Sequence, residues 1–324
     1  MAVGFHVRSV FPTLIAVGLL LELARADAND GPRSGQAFVT NQGSETVSVV
    51  DLATWAVTAT IPVPGHPAGI AVSSSRAFVS APDAHGIAVV DTTTRAIVRR
   101  VPIGGGPLGI AYDTVKQRVY VADWYSRRLV VVDPATASIT AEIEVGQSPS
   151  GIAVSQDGHT VLTADRDSDT VSIIDADQLR RSGSVKVGSR PFGVTLSADG
   201  TRAYTANVGS DDISVIDVAS HAVIATVGVG RRPYAIALAG THAFVSNQYG
   251  GTVTVFSTVD HSAVATIAVG DHPEGIAYDA GTGAVYVACW FDNELVRIDA
   301  ASLKVTGKVA VGDGPRAFGS FINR

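Results

Sequence analysis

The chain has 324 residues, 46% of them hydrophobic, with a single cysteine and a formal net charge of −6. That charge gives no overall pull toward nucleic acid or an anionic membrane, so any anion site has to be local. One cysteine excludes an internal disulfide, and no CxxCH, HExxH, P-loop or Gly-x-Ser-x-Gly pattern supplies a haem, zinc, nucleotide or hydrolase signature.

Arg8 precedes an apolar run from Val10 to Leu21, and Ala24-Arg25-Ala26 is the small-x-small pattern that signal peptidase reads. Residues 1–26 are therefore expected to be a signal peptide cleaved after Ala26, followed by a short polar leader over 27–34. The apolar run is short for a span of about 20 residues, so no stable membrane span is expected after cleavage. The mature protein is expected outside the cytoplasm, in the periplasm or at the cell surface.

From residue 35 to 324 the chain repeats. Prolines at 67, 107, 149, 191, 233, 273 and 315 each open a stretch of the type His66-Pro67-Ala68-Gly69-Ile70-Ala71-Val72. The period of 40 or 42 residues, built from short β-branched runs between turn residues, predicts an all-β propeller. Four strands recur in order. Strand a is the Gly-Ile-Ala-Val run, and strand b runs from Ala37 to Asn41 and its counterparts ending at Ala81, Asp123, Asp165, Asn207, Asn247 and Cys289. Strand c ends at Asp51, Asp91, Asp133, Asp175, Asp217, Ser257 and Asp299, and strand d is of the type Val264 to Gly270. Residues 181 to 184 are expected to weaken the fourth d strand.

The mature chain begins with strand b and ends with strand a. The last strand, about Arg316 to Ile322, is expected to complete the first blade and close a ring of seven four-stranded antiparallel blades, so that no sheet edge is left where the termini meet. Alternation then sends the b-to-c and d-to-a loops to one face and the a-to-b and c-to-d turns to the other. The second face carries plain turns such as Ser155-Gln156-Asp157-Gly158.

These residues resemble the YVTN-type β-propeller repeat proteins, on Tyr120-Val121-Ala122-Asp123, Tyr204-Thr205-Ala206-Asn207 and Phe244-Val245-Ser246-Asn247, each followed by a strand such as Ile213-Ser214-Val215-Ile216-Asp217. The resemblance covers about residues 35 to 324 and implies an exported or surface seven-bladed propeller with a binding role. Ser257 in place of aspartate, and Ala235 and Ala317 in place of glycine, depart from the pattern.

Positions required in nearly every repeat read as scaffold. The aspartates ending strand c are expected to accept hydrogen bonds from the following turn, and the polar residues ending strand b to form turns. Cys289 is expected to be an ordinary half-buried side chain. Function is expected where repeats differ, on the first face. His66, Arg190, Arg232 and His272 precede prolines, with Arg231 and Asp271 alongside, and Phe192, Tyr234, Glu274 and Arg316 follow them. The b-to-c loops add Trp124, Tyr125, Arg166, Tyr249 and Trp290.

Guanidinium groups among rings suit a protein, peptide or small anionic ligand that is partly flat, whereas nucleic acid ranks below these on charge. Acidic neighbours such as Asp167, Asp271 and Glu274 offer these arginines ion-pair partners instead. No cofactor is expected, and a metal only at His66 and His272. The leading expectation is a non-catalytic binding propeller. The alternatives are a lactonase-like metal-dependent hydrolase using Asp271, Glu274, His66 and His272, an accessory protein of a redox enzyme, or a structural protein of the cell envelope.

Overall fold

The computed structural model describes residues 1–4 and 35–323, so the expected signal peptide and leader fall, beyond residue 4, outside the described residues. From residue 35 the chain forms seven four-stranded antiparallel blades in a ring. Blade 1 holds residues 36–62 and the chain's end. Blades 2 to 7 span 69–102, 107–144, 149–186, 191–228, 233–268 and 273–310.

Strands b and c supply the core because both of their faces are covered by neighbouring blades. Their apolar runs bury almost completely, as with Val119, Tyr120, Val121, Leu129, Val130 and Val131 in blade 3. A buried side chain of this kind contributes about 1.5–3 kcal/mol. Strand d lies at the rim and is largely exposed.

The glycine in strand a has a steric reason. A Cβ on Gly109 would strike the Ser150 carbonyl of the next blade, one on Gly151 the Phe192 carbonyl, and one on Gly193 the Tyr234 carbonyl. The inner strands pack backbone to backbone around the axis.

The strand c aspartates act as expected. Asp175 Oδ1 accepts from the Asp177 and Gln178 amides at 2.9 Å each, and the Ser257 hydroxyl takes the same place for Val259 at 3.2 Å. The polar residues ending strand b are not turn formers. Asn41, Asp123, Asp165, Asn207 and Asn247 are fully buried, and Asn247 donates to Thr252 and Thr254 on strand c while accepting from Gly230 on the incoming loop. All five bond side chains of strand c or the turn leading into it, and Asp123 and Asn247 also hold the preceding blade's exit by accepting from the Gly106 and Gly230 amides. Cys289 occupies this position in blade 7 and is buried completely, not by half.

The fourth d strand is intact over Arg180–Lys186, paired with Thr170–Asp175. Gly183 fits because the His221 ring of blade 5 lies where its Cβ would stand. Gly307 in blade 7 likewise leaves room for Trp55 of blade 1, which packs on Tyr286 with ring centroids 5.7 Å apart.

The end of the chain joins blade 1, though not as one continuous strand. Arg316 N donates to Thr40 O at 2.7 Å and Phe38 N to Phe321 O at 2.8 Å, while Ile322 pairs with Ala37. Between them Phe318–Ser320 pairs in parallel with Gly69–Ala71 of blade 2. The cause is two surplus residues. Ala37 meets the seventh residue after Pro315, whereas the corresponding Val161 meets the fifth after Pro149.

Candidate functional site

The residues that follow the conserved prolines are Ala68, Leu108, Ser150, Phe192, Tyr234, Glu274 and Arg316, of which the last four are linked by direct contacts. Phe192 and Tyr234 stack at 4.4 Å between ring centroids, and Phe318 closes on them at 5.1 and 5.4 Å. All three are almost wholly buried and form a stopper between two cavities, Phe192 lining one and Phe318 the other.

On the side of the b-to-c loops lies a well of about 230 Å³ lined by Gln42, Leu108, Trp124, Tyr125, Phe192 and Arg316, with Pro82 and Gly106 at its margin. Beyond the stopper a second cavity of about 470 Å³, walled by aliphatic residues of strand a such as Ile110, Ile152, Leu196 and Leu238, reaches the turn residues Gln156, Ser197 and Ala198. The two share no lining residue. The face expected to carry only plain turns therefore also opens into the axis.

Arg316 is the centre of the polar network. Its Nε and one Nη donate to the Tyr234 hydroxyl at 2.9 and 2.7 Å, and its other Nη to Gln42 Oε1 at 3.2 Å. Nε also lies 3.1 Å from Glu274 Oε2, close enough for charge pairing but without hydrogen-bond alignment, since its N–H serves Tyr234. Glu274 is 4% exposed and takes a further bond from Gln248 at 2.6 Å. Burial pushes its carboxyl upward, opposed by Arg316, Gln248 and Tyr234. Burial likewise raises the Tyr234 phenol, while Arg316 is held charged by Tyr234 and Glu274 despite its own burial.

The expected site residues fall into three groups. Trp124, Tyr125 and Arg316 line the well, Tyr234 lies beneath, and Trp290 packs against Arg316 with its ring 5.8 Å from the guanidinium carbon. Arg166 covers Trp124 at 5.5 Å while pairing with Asp167 at 2.7 Å. A second cluster holds Arg232 over Tyr249 at 4.4 Å, Tyr249 against His272 at 5.1 Å, and His272 against Phe291 at 4.5 Å. Trp124 and Trp290 thus share a face, as expected.

His66, Arg190 and Arg231 stay outside both groups. His66 pairs with Asp83 at 2.8 Å, and Arg190 and Arg231 are exposed. His66, Arg190, Arg232 and His272 all adopt left-handed backbone, with φ between 51° and 56°. Asp169 and Asp211 of the preceding blade stabilise the turn by accepting from the Arg190 and Arg232 amides at 2.8 and 2.7 Å. These aspartates, and Gln42 in the well, carried no signal in the sequence beyond their place in b-to-c loops.

A metal site on His66, His272, Asp271 and Glu274 would need those groups to converge. Instead His66 is held by Asp83, His272 by Asp271 at 2.6 Å, and Glu274 by Arg316. Among the described residues no group of three or more histidine, cysteine or acidic side chains is placed to hold a metal ion.

Fold and site together define a seven-bladed β-propeller with an aromatic and basic rim around a well open to that face. No protein-family model and no curated protein matches the sequence. Among solved structures the chain is similar to one from Kuenenia stuttgartiensis hydrazine synthase, at 22% identity and TM-score 0.72 over 78% of this chain and 89% of that one. It is also similar to a functionally unknown protein from Desulfotomaculum acetoxidans, at 18% identity and TM-score 0.74 over 86% of this chain and 98% of that one. At such identity the likeness is one of fold.

Proposed function

We propose that this protein is an exported, non-catalytic propeller of the YVTN type that binds a ligand or protein partner through the face bearing the b-to-c and d-to-a loops. One observation carries the reading. Among the described residues the exposed aromatic side chains are Tyr125, Tyr249 and Phe291, at 78%, 47% and 61%, and all three stand on b-to-c loops. Exposed rings cost solvation unless a partner covers them, and rings beside guanidinium groups are the usual composition of binding hot spots. Export rests on the sequence of residues 1–26.

The test is a thermal-shift screen of the mature protein, since a compound that binds the folded state raises its melting temperature. Alanine at Tyr125, Arg232 and Trp290 together is expected to abolish the shift of a hit, and changes at Gln156 and Ser197 to leave it intact. A hit lost only with the second pair would overturn the assignment of the face.

A further inference from the structure

We propose that the well beside Arg316 takes a neutral planar group carrying a hydrogen-bond acceptor, of the aromatic carboxamide class, and discriminates against the carboxylate of the same shape. This rests on the reading of that face as a binding surface and names what the well selects.

Shape is the first argument. A volume of about 230 Å³ lies below the range of about 300–1,000 Å³ usual for drug-sized ligands, so the well holds a single substituted ring. Its walls are Leu108, Phe192, Trp124 and Tyr125, which offer flat apolar contact.

Hydrogen bonding is the second. A guanidinium has five N–H donors, of which Arg316 uses three, on Tyr234 twice and on Gln42 once. One N–H on each terminal nitrogen has no protein acceptor among the described residues, and the side chain keeps 18% exposure where it lines the well. A carbonyl oxygen entering the well meets these two donors.

Charge decides between a carbonyl and a carboxylate. The Arg316 charge is already compensated by Glu274, 3.1 Å away and buried. Arg166 above Trp124 is compensated by Asp167, and Arg128 by Asp123 and Glu142 at 3.0 and 2.6 Å. A ligand carboxylate would set a second negative charge beside the buried Glu274, with the one Arg316 guanidinium shared between the two, and like charges at such a site disfavour each other. The exposed Arg190 and Arg231 line no part of the well. An anionic substituent, if the natural ligand has one, belongs out on that rim and not in the well.

Benzamide and benzoate are isosteric probes for this choice. In ligand-observed NMR titrations of the mature protein at pH 7, benzamide is expected to bind at least ten-fold tighter than benzoate, and Trp124→Ala to weaken both. Glu274→Gln keeps the shape of the side chain and removes its charge, and is expected to reduce the benzamide-to-benzoate ratio ten-fold or more. Should that variant fail to fold, Asp167→Asn on the exposed rim releases Arg166 over Trp124 and is expected to lower the same ratio. Equal binding of the two probes, a ratio unmoved by the charge-removing variant that folds, or saturation by neither probe would overturn the proposal. A screening hit abolished by the first-face variant alongside any of those results would sink this inference and leave the binding reading standing.

Discussion

Asp165 of blade 4 occupies the position that Asn247 holds in blade 6, and both are fully buried, but only the amide brings donors of its own. Asn247 Nδ2 donates to Thr252 and Thr254 at 3.0 and 2.9 Å, whereas Asp165 must accept from Thr163, Thr170 and Ser172 at 2.8, 3.2 and 2.6 Å. No cation stands among these partners. Burial accordingly pushes the Asp165 carboxyl upward, and the hydroxyl bonds only partly offset it.

Asp165→Asn is therefore expected to stabilise the protein, by about 1 kcal/mol at pH 8. The folded state holds the Asp165 proton more firmly than the unfolded chain does. Its contribution is complete below the unfolded value, near about 4, and is lost as pH rises through the folded one. Urea unfolding of both proteins at pH 5 and pH 8 should show the larger gain at pH 8. An equal or reversed gain would refute the assignment.

Removing Arg316 leaves Glu274 buried without its countercharge. Arg316→Ala is expected to cost about 3–5 kcal/mol at pH 8. The deficit should shrink toward pH 5, because a carboxyl already pushed upward by burial then takes up a proton. Chemical denaturation at the two pH values measures both effects, and a pH-independent loss would show that packing against Tyr234 and Trp290 outweighs the charge.

Phe321 is fully buried in the core cluster that joins blade 1 to its neighbours, and its carbonyl accepts from Phe38 N. Phe321→Ala is expected to cost about 3–5 kcal/mol. Hydrogen exchange should show amides of Gln36–Asn41 losing protection first. Loss spread evenly over all blades would contradict a local seam at the chain's end.

Cys289 takes the place of the buried clamp residue in blade 7, and burial pushes its thiol up to about 12. Since the thiolate is the reactive species, a disulfide reagent at pH 8 should modify it only after unfolding. Stoichiometric labelling of the folded protein within minutes would contradict this burial.

Blade number, strand order and face assignment were legible in the sequence because each depends on a residue repeated for steric or turn reasons, such as the prolines, the strand a glycines and the aspartates ending strand c. Trp124, Tyr125 and Arg316, which line the well, stood out in the sequence because they break the repeat where the blade does not demand them. Their partners were not. Whether Arg316 meets solvent or Glu274, and whether His66 faces a ligand or Asp83, depends on rotamers packed between blades and not on spacing. The surplus pair of residues before Ile322 was equally hidden, since the misfit lies in strand register and in no repeated residue.

The stack of Phe192, Tyr234 and Phe318 turns what would be a tunnel into two cups set base to base. Neither cup shares a lining residue with the other. Each cup is consequently free to acquire its own specificity by changing residues on its own side of that partition.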